Sequence, residues 1–175
     1  MNISIRQVRA DEAVPLQSIS RQTFYDAFAA VNTEQDMQKY LDENLSIAKL
    51  KAELNEPGSL FYFALDNDKI IGYLKLNFGA AQTDLKENYG VEIERIYVLQ
   101  AYQSAKVGQQ LFEHAIQIAN ERKADYIWLG VWEHNTRAIS FYERNGFITF
   151  GKHAFMLGND EQTDVLMRRP IAPKN

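Results

Sequence analysis

The chain has 175 residues, of which 46% are apolar, 12% aromatic and 24% charged; read as one domain over residues 1–175, it can bury roughly 70% of the surface its unfolded form exposes. With no cysteine at all it can form no disulfide, thiolate metal site or cysteine nucleophile. A formal net charge of −4 and a pI near 5.4 argue against nucleic acid as a partner, because phosphate neutralisation needs a basic face.

At the start, Met1–Arg6 lacks the basic and apolar regions of a secretory signal, and no later window approaches the ~18 apolar residues of a membrane span. The chain is therefore expected in the cytoplasm, with no membrane partner. Ile3, Ile5 and Val8 alternate with polar residues as in a short strand. Asp11 and Glu12 are then placed to cap a helix carrying Leu16, Ile19, Phe24 and Phe28. Thr33 with Asp36 reads as a capping box before Met37, Tyr40 and Leu41, and Ser46 opens another helix with Leu50 and Leu54. Between residues 26 and 56, seven acids (Asp26, Glu34, Asp36, Asp42, Glu43, Glu53, Glu56) face three bases (Lys39, Lys49, Lys51), so this segment holds the whole charge excess. Either it is a solvated helical face or it attracts a cationic substrate.

Pro57 and Gly58 end the helical block. Leu60–Leu65, a turn at 66–69, and Ile70–Phe78 then read as a β-hairpin. A strand over Val91–Val98 leads to a helix over Val107–Arg122 that places Val107, Leu111, Ala115, Ile118 and Ala119 near one face. The strand Tyr126–Val131, the helix Thr136–Asn145 and strands near Phe147–Lys152 and Asp164–Arg168 complete the pattern, with a frayed tail at 170–175. Strands that are first antiparallel and then alternate with helices predict a mixed α+β (α/β) sheet with helices on both faces.

Three places carry chemistry. The segment Gln103, Ser104, Ala105, Lys106, Val107, Gly108, Gln109 follows an apolar strand and opens a helix, where unpaired N–H groups and a partial positive charge suit a phosphate. In the strand before it, a period of two puts Glu92, Glu94, Ile96 and Val98 on one face. A carboxylate inside a strand needs hydrogen bonds or water, so each glutamate is either an ion-pair partner, of Arg95 or of a neighbouring strand, or a group that works on substrate. Finally, Asn135 is placed to N-cap the helix that carries Tyr142 and ends at Gly146, a left-handed C-cap. Trp128 and Trp132 read as core or pocket wall. His114, His134 and His153 lack metal-ligand spacing and read as surface or capping residues, so no metal is expected. Neither a G-x-G-x-x-G fingerprint nor a G-K-[ST] loop is present.

This combination resembles the GNAT superfamily of acetyl-coenzyme A dependent N-acetyltransferases. Gln103, Lys106 and Gly108 fall on the defined positions of that family's pyrophosphate loop, and Asn135, Ala138, Ile139, Phe141, Tyr142, Gly146 and Phe147 match its later motif. Val91–Val98, Ile127–Glu133 and Gly158–Asp164 are similar to the PaiA-type bacterial polyamine acetyltransferases. Lys106 departs from the pattern, which has glycine there. Glycine suits a positive φ or a close ligand approach, whereas a lysine either obstructs that approach or pairs with a cofactor phosphate.

The resemblance implies a central, mostly antiparallel sheet of about seven strands, acetyl-coenzyme A as co-substrate and acetylation of a primary amine of spermidine or spermine, with a homodimer allowed; the absence of cysteine favours direct attack over an acyl-cysteine relay. Ile96, Tyr97 and Val98 would hold the pantetheine arm through their backbone, residues 103–109 the pyrophosphate, and Asn135 the pantetheine from the other side. Tyr142 would protonate the departing thiolate, and Glu92, or else Glu94, would take the proton from the amine. The alternatives left open are another small amine, a protein N-terminus, or a regulator that binds acetyl-coenzyme A or a polyamine without turnover.

Overall fold

The computed structural model describes residues 1–171. In chain order the elements are β1 (Ile3–Gln7), α1 (Ala13–Phe28), α2 (Glu34–Asn44), α3 (Ile47–Leu54), β2 (Ser59–Asp66), β3 (Lys69–Phe78), β4 (Gly90–Val98), α4 (Val107–Glu121), β5 (Tyr126–Trp132), α5 (Thr136–Arg144), β6 (Ile148–Leu157) and β7 (Asp160–Pro170). The strands form one sheet in the order β1-β2-β3-β4-β5-β7-β6. Only β4 and β5 pair in parallel; every other neighbour is antiparallel.

Local chemistry sets the boundaries. Thr33 accepts a hydrogen bond from Asp36 N at 3.1 Å and Ser46 one from Lys49 N at 3.2 Å, satisfying donors that the starts of α2 and α3 leave open. Glu12 precedes α1 without capping it. Its carboxylate instead accepts from Arg6 at 2.8 Å and 2.9 Å and from Arg9 N at 2.8 Å. Gly146, with φ +89°, ends α5 in a conformation that costs glycine little. The last two strands run further than the sequence pattern predicts and make a tight hairpin at Gly158, where α2 covers the turn through Asp36, which accepts from Asn159 N. Pro170 closes β7 and Ile171 is buried, so the expected fraying does not begin at 170; residues 172–175 lie outside the described residues.

Both faces of the sheet are covered. On one, Val107, Leu111, Phe112, Ala115 and Ala119 of α4 pack with Leu74, Leu76, Ile93, Ile127 and Leu129, joined by Tyr142 of α5. On the other, Leu16, Ile19, Phe24 and Phe28 of α1, with Met37, Leu41 and Leu50 of α2 and α3, pack on Phe61, Phe63 and Tyr73.

Two irregularities in β4 shape the functional region. Lys75 of β3 pairs with Arg95 but Leu76 pairs with Ile93, so Glu94 is an extra residue in a β-bulge. The single face expected for Glu92, Glu94, Ile96 and Val98 is therefore split. Ile96 and Val98 join Ile93 on the α4 side. Glu94, Arg95 and Tyr97 turn toward α1–α3, where Glu94 shares the Asn77 amide with Glu92. The second irregularity is a splay. Pairing of β4 with β5 ends at Ile93 and Leu129, although β4 continues along β3 to Val98 and β5 along β7 to Trp132. A wedge with unpaired backbone on both sides opens between them.

Candidate active site

The wedge is the floor of a cleft of about 1130 Å³ that runs from the start of α4 to the charged side of β4. It brings together Glu92, Glu94, Ile96, Tyr97, Val98, Gln103, Ser104, Lys106, Gly108, Gln109, Asn135 and Tyr142. Ala105 and Val107 are different: their side chains pack on the core beneath the loop, leaving only their backbone available.

At one end, Lys106 takes a left-handed conformation (φ 60°, ψ 24°) that turns the chain into α4, and no side chain caps the helix. Among the described residues no acceptor meets the N–H groups of Val107, Gly108 or Gln109; the first return bond is Gln110 N to Lys106 O. A Cβ added at Gly108 would approach only Val98 Cγ2 among the described residues, at 4.0 Å, so the chain leaves room beside this turn of the loop. Three aligned donors at a helix start, over open space and continuous with the wedge, fit a pyrophosphate and an extended arm.

In the middle of the cleft, Asn135 Oδ1 accepts from Ala138 N at 3.1 Å, the expected N-cap. Tyr142, on the next turns of α5, is 8% exposed and lies edge-on to Phe141 and Phe147, with ring centroids at 5.4 Å and 5.6 Å. Its hydroxyl makes no hydrogen bond among the described residues. Burial raises its pKa, because a phenolate there would lose its hydration.

At the other end is a buried polar network. Ser59 donates to Asn77 Oδ1 at 2.9 Å, which orients the Asn77 amide to donate to Glu92 and Glu94, both at 3.0 Å. Lys75 bonds Glu53 at 2.8 Å and Glu94 at 3.0 Å, and Arg95 bonds Glu53 at 2.9 Å and Glu94 at 3.1 Å. Two cations thus cancel two carboxylates. Although burial opposes its charge, Arg95 and Lys75 hold the Glu94 pKa below the usual carboxylate range. Among the described residues Glu92 pairs with no cation. It accepts from Asn77, from Thr83 N at 2.8 Å and from Thr83 Oγ1 at 2.5 Å, and burial raises its pKa despite these neutral donors. Among the described residues its Oε2 meets only the Thr83 hydroxyl, which leaves that oxygen a further acceptor site.

Thr83 reaches Glu92 because the β3–β4 connection is pinned. Trp128 Nε1 donates to Gln82 Oε1 at 2.7 Å, and Gln82 in turn donates to Gly79 O and Glu87 O. The next residue, Asp84, lies 3.2 Å from His153 Nδ1, while Asp164 lies 3.5 Å from His153 Nε2.

Residues 21–147 match the model of the Acetyltransferase (GNAT) family. The chain belongs to that family. Over 97% of this GNAT chain and 98% of the relative, it is 40% identical to an uncharacterized N-acetyltransferase in the pepI 3′ region of Lactobacillus delbrueckii subsp. lactis. It is 26% identical to the spermidine N(1)-acetyltransferase of Thermoplasma acidophilum over 84% of this chain and 89% of that protein. The crystal structure of the PaiA N-acetyltransferase from Thermoplasma acidophilum, in complex with coenzyme A, shares its fold with a TM-score of 0.79 at 23% identity, covering 97% of this chain and 99% of that one.

Several groups in and around this GNAT cleft escape a reading of the sequence alone. Lys75 and Asn77 interrupt the apolar run of β3 as Glu92 and Glu94 interrupt β4, and that parallel was the available signal for their pairing. Glu53 is the one acid of the 26–56 segment that lines the cleft among the described residues, and its charge is already matched by Lys75 and Arg95. His153 was expected at the surface or in a cap but stands in the cleft between two carboxylates. His114 is no surface cap either: it packs edge-on to Tyr62 with centroids at 4.4 Å, and burial lowers its pKa. His134 is exposed beside Glu133, as expected.

Proposed function

We propose that this GNAT enzyme transfers the acetyl group of acetyl-coenzyme A to a primary amine, with a polyamine as acceptor, by direct attack while both substrates are bound, and that it does so in the cytoplasm. One observation carries the reading: a single cleft joins uncapped helix amides, an open strand edge and a desolvated carboxylate without a cation. The 26% identity to a spermidine N(1)-acetyltransferase supports the polyamine.

Acetyl-coenzyme A supplies an acyl group on a good leaving thiolate. The amides of Val107, Gly108 and Gln109 hold its diphosphate, with Gln103, Ser104, Ala105 and Lys106 shaping the loop around it. The unpaired edge at Ile96, Tyr97 and Val98 aligns the pantetheine, with Asn135 opposite. A backbone N–H near Val98 donates to the acyl oxygen as negative charge develops there. An alkylammonium is almost wholly protonated at neutral pH, so a proton must leave before attack. Glu92 takes it, directly or through a water, because its raised pKa makes it the stronger base of the two strand glutamates. Glu94, locked in ion pairs with Lys75 and Arg95, sets the local charge instead. Tyr142 stays protonated and donates to the departing thiolate. Complete transfer would leave a buried phenolate, so Tyr142 shares its proton with the sulfur without giving it up, and the second proton that the nitrogen sheds as the amide forms ends on the thiolate to give the thiol.

Thiol release measured with acetyl-coenzyme A and a panel of amines tests the assignment. Polyamines turning over faster than amino acids, drugs or N-terminal peptides is the expected result. Selectivity for one of those others would move the substrate, and binding without thiol release would make the protein a sensor.

A further inference from the structure

The rim of the cleft along α5 carries two cations that the transfer chemistry does not use. The sequence holds nine arginines. Five donate to carboxylates or backbone carbonyls of the chain, and Arg122 and Arg168 lie over the rings of Phe78 and Phe150. The remaining two, Arg137 and Arg144, are exposed and meet no carboxylate, carbonyl or ring among the described residues. Both line the cleft.

Their placement is shared. Seven residues apart on α5, they point within about 20° of the same direction and stand roughly 10 Å apart along the axis. The helix is held against the amide loop: Gln109 Nε2 donates to Asn145 Oδ1 at 3.1 Å, and Arg169 Nη1 donates to Asn145 O at 3.1 Å. Arg144, next to Asn145, is thereby kept at the first turn of α4, with Arg137 two turns away along the same rim. The helix itself gives no reason for Arg137. It stands in the first turn, where a cation opposes the helix dipole, and no acid there offsets it.

The charges that line the cleft are also sorted by element. Its acids, Glu53, Glu92, Glu94 and Asp164, come from α3, β4 and β7, whereas the amide loop and α5 contribute Lys106, Arg137 and Arg144 and no carboxylate. That is more positive charge than a diphosphate needs when three amides and Lys106 already face it. An arginine fork matches the oxygens of a terminal phosphate, and a guanidinium gives up little hydration on pairing. Besides its diphosphate, coenzyme A carries one such group, a monoester on the ribose 3′ oxygen with a charge of about −1.5 to −2 at neutral pH.

We propose that Arg137 and Arg144 seat the 3′-phosphate of coenzyme A, so that the enzyme selects coenzyme A thioesters over those of 3′-dephospho-coenzyme A. This inference rests on the acetyl-transfer reading above and deepens it: the amides fix the diphosphate, and the α5 rim reads whether the nucleotide bears its third phosphate.

Calorimetry of coenzyme A and of 3′-dephospho-coenzyme A binding to the full chain tests it without turnover. The native protein should bind coenzyme A ~10-fold or more tightly than the dephospho form. In Arg137→Gln/Arg144→Gln the preference should fall to about 2-fold or less, through loss of affinity for coenzyme A alone. Equal binding of the two nucleotides by the native protein overturns the seat. So does a double variant that keeps the preference, including one that loses affinity for both nucleotides alike, as a merely structural contact would. Phosphorus resonances of bound coenzyme A give a second readout. The monoester should titrate about one pH unit lower on the native protein than on the double variant, and an identical titration overturns the proposal. Failure of the cofactor reading looks different: neither nucleotide would bind, and the seat would fall with it.

Discussion

The two ends of the cleft handle charge by opposite means. At the α4 end the diphosphate site we propose would be made mainly from backbone: three amides that no acceptor meets among the described residues, a helix start without a cap, and a glycine that leaves room beside it, with Lys106 as its one side-chain charge. At the β4 end the work falls to side chains taken out of water, with two cations set against two carboxylates and one carboxylate left unmatched. Backbone dipoles cannot titrate and cost nothing to reorganise, which suits a cofactor group whose charge is constant. Buried side chains can have their proton affinity shifted by their surroundings, which suits the handling of a substrate proton.

The contrast is broken most severely by removing the charge balance at the β4 end. Lys75 is 4% exposed and bonds Glu53 and Glu94. Lys75→Met should cost about 3–5 kcal/mol of unfolding free energy, since two buried carboxylates are left with Arg95 alone. Adding Glu94→Gln should restore part of the loss, as chemical denaturation of the single and double variants will show. An additive double variant would mean the network is not a unit.

Glu92→Gln separates function from stability at the same end. The kcat/KM should fall by roughly 10²–10³-fold, and the acid limb of the native pH profile, set above the ordinary carboxylate range by burial, should disappear. Stability should move the other way. A carboxylate whose folded pKa is raised favours the native state fully below its unfolded pKa and loses that contribution as pH rises through the folded value. The variant should therefore melt at or above the native temperature at neutral pH, with the difference vanishing in acid. A melting temperature that falls would show that the Thr83 and Asn77 bonds outweigh desolvation.

Between the two ends, Tyr142→Phe should lower kcat by ~10²-fold while coenzyme A affinity stays nearly constant, because the donor is used only as the thiolate departs. An unchanged kcat removes Tyr142 from the chemistry. The smallest effect is expected at the α4 end. Lys106 carries a β-carbon at φ 60°, so Lys106→Gly should raise stability by about 1 kcal/mol. Coenzyme A affinity should fall ~5-fold and lose salt dependence as a phosphate-pairing ammonium is removed. Tighter binding would instead identify the lysine as an obstruction.

The sequence was most legible where function resides in the backbone or in local spacing. The α4 loop, the Asn135 cap, the Gly146 terminator and the mixed sheet are all written in contiguous residues, and each stands where its pattern points. What could not be read depends on register. The bulge at Glu94 inserts one residue into β4, and a period of two cannot reveal which neighbour is skipped. Glu92 and Glu94 kept a common direction, but Ile96 and Val98 turned to the opposite face. His153 was hidden for a similar reason: its partners are 69 residues before it and 11 after, united only by the β6–β7 register and the Gln82 pin.

In the proposed complex, unpaired amides at the start of α4 hold the cofactor's diphosphate while its thioester lies in the β4–β5 wedge. Titrating coenzyme A into isotope-labelled protein and following the backbone amide resonances tests it most directly. Saturable binding of one molecule per chain is expected, with the largest shifts at Val107, Gly108 and Gln109 and smaller ones at Ile96–Val98. Saturation that leaves residues 107–109 unmoved, or no saturation at all, would contradict it.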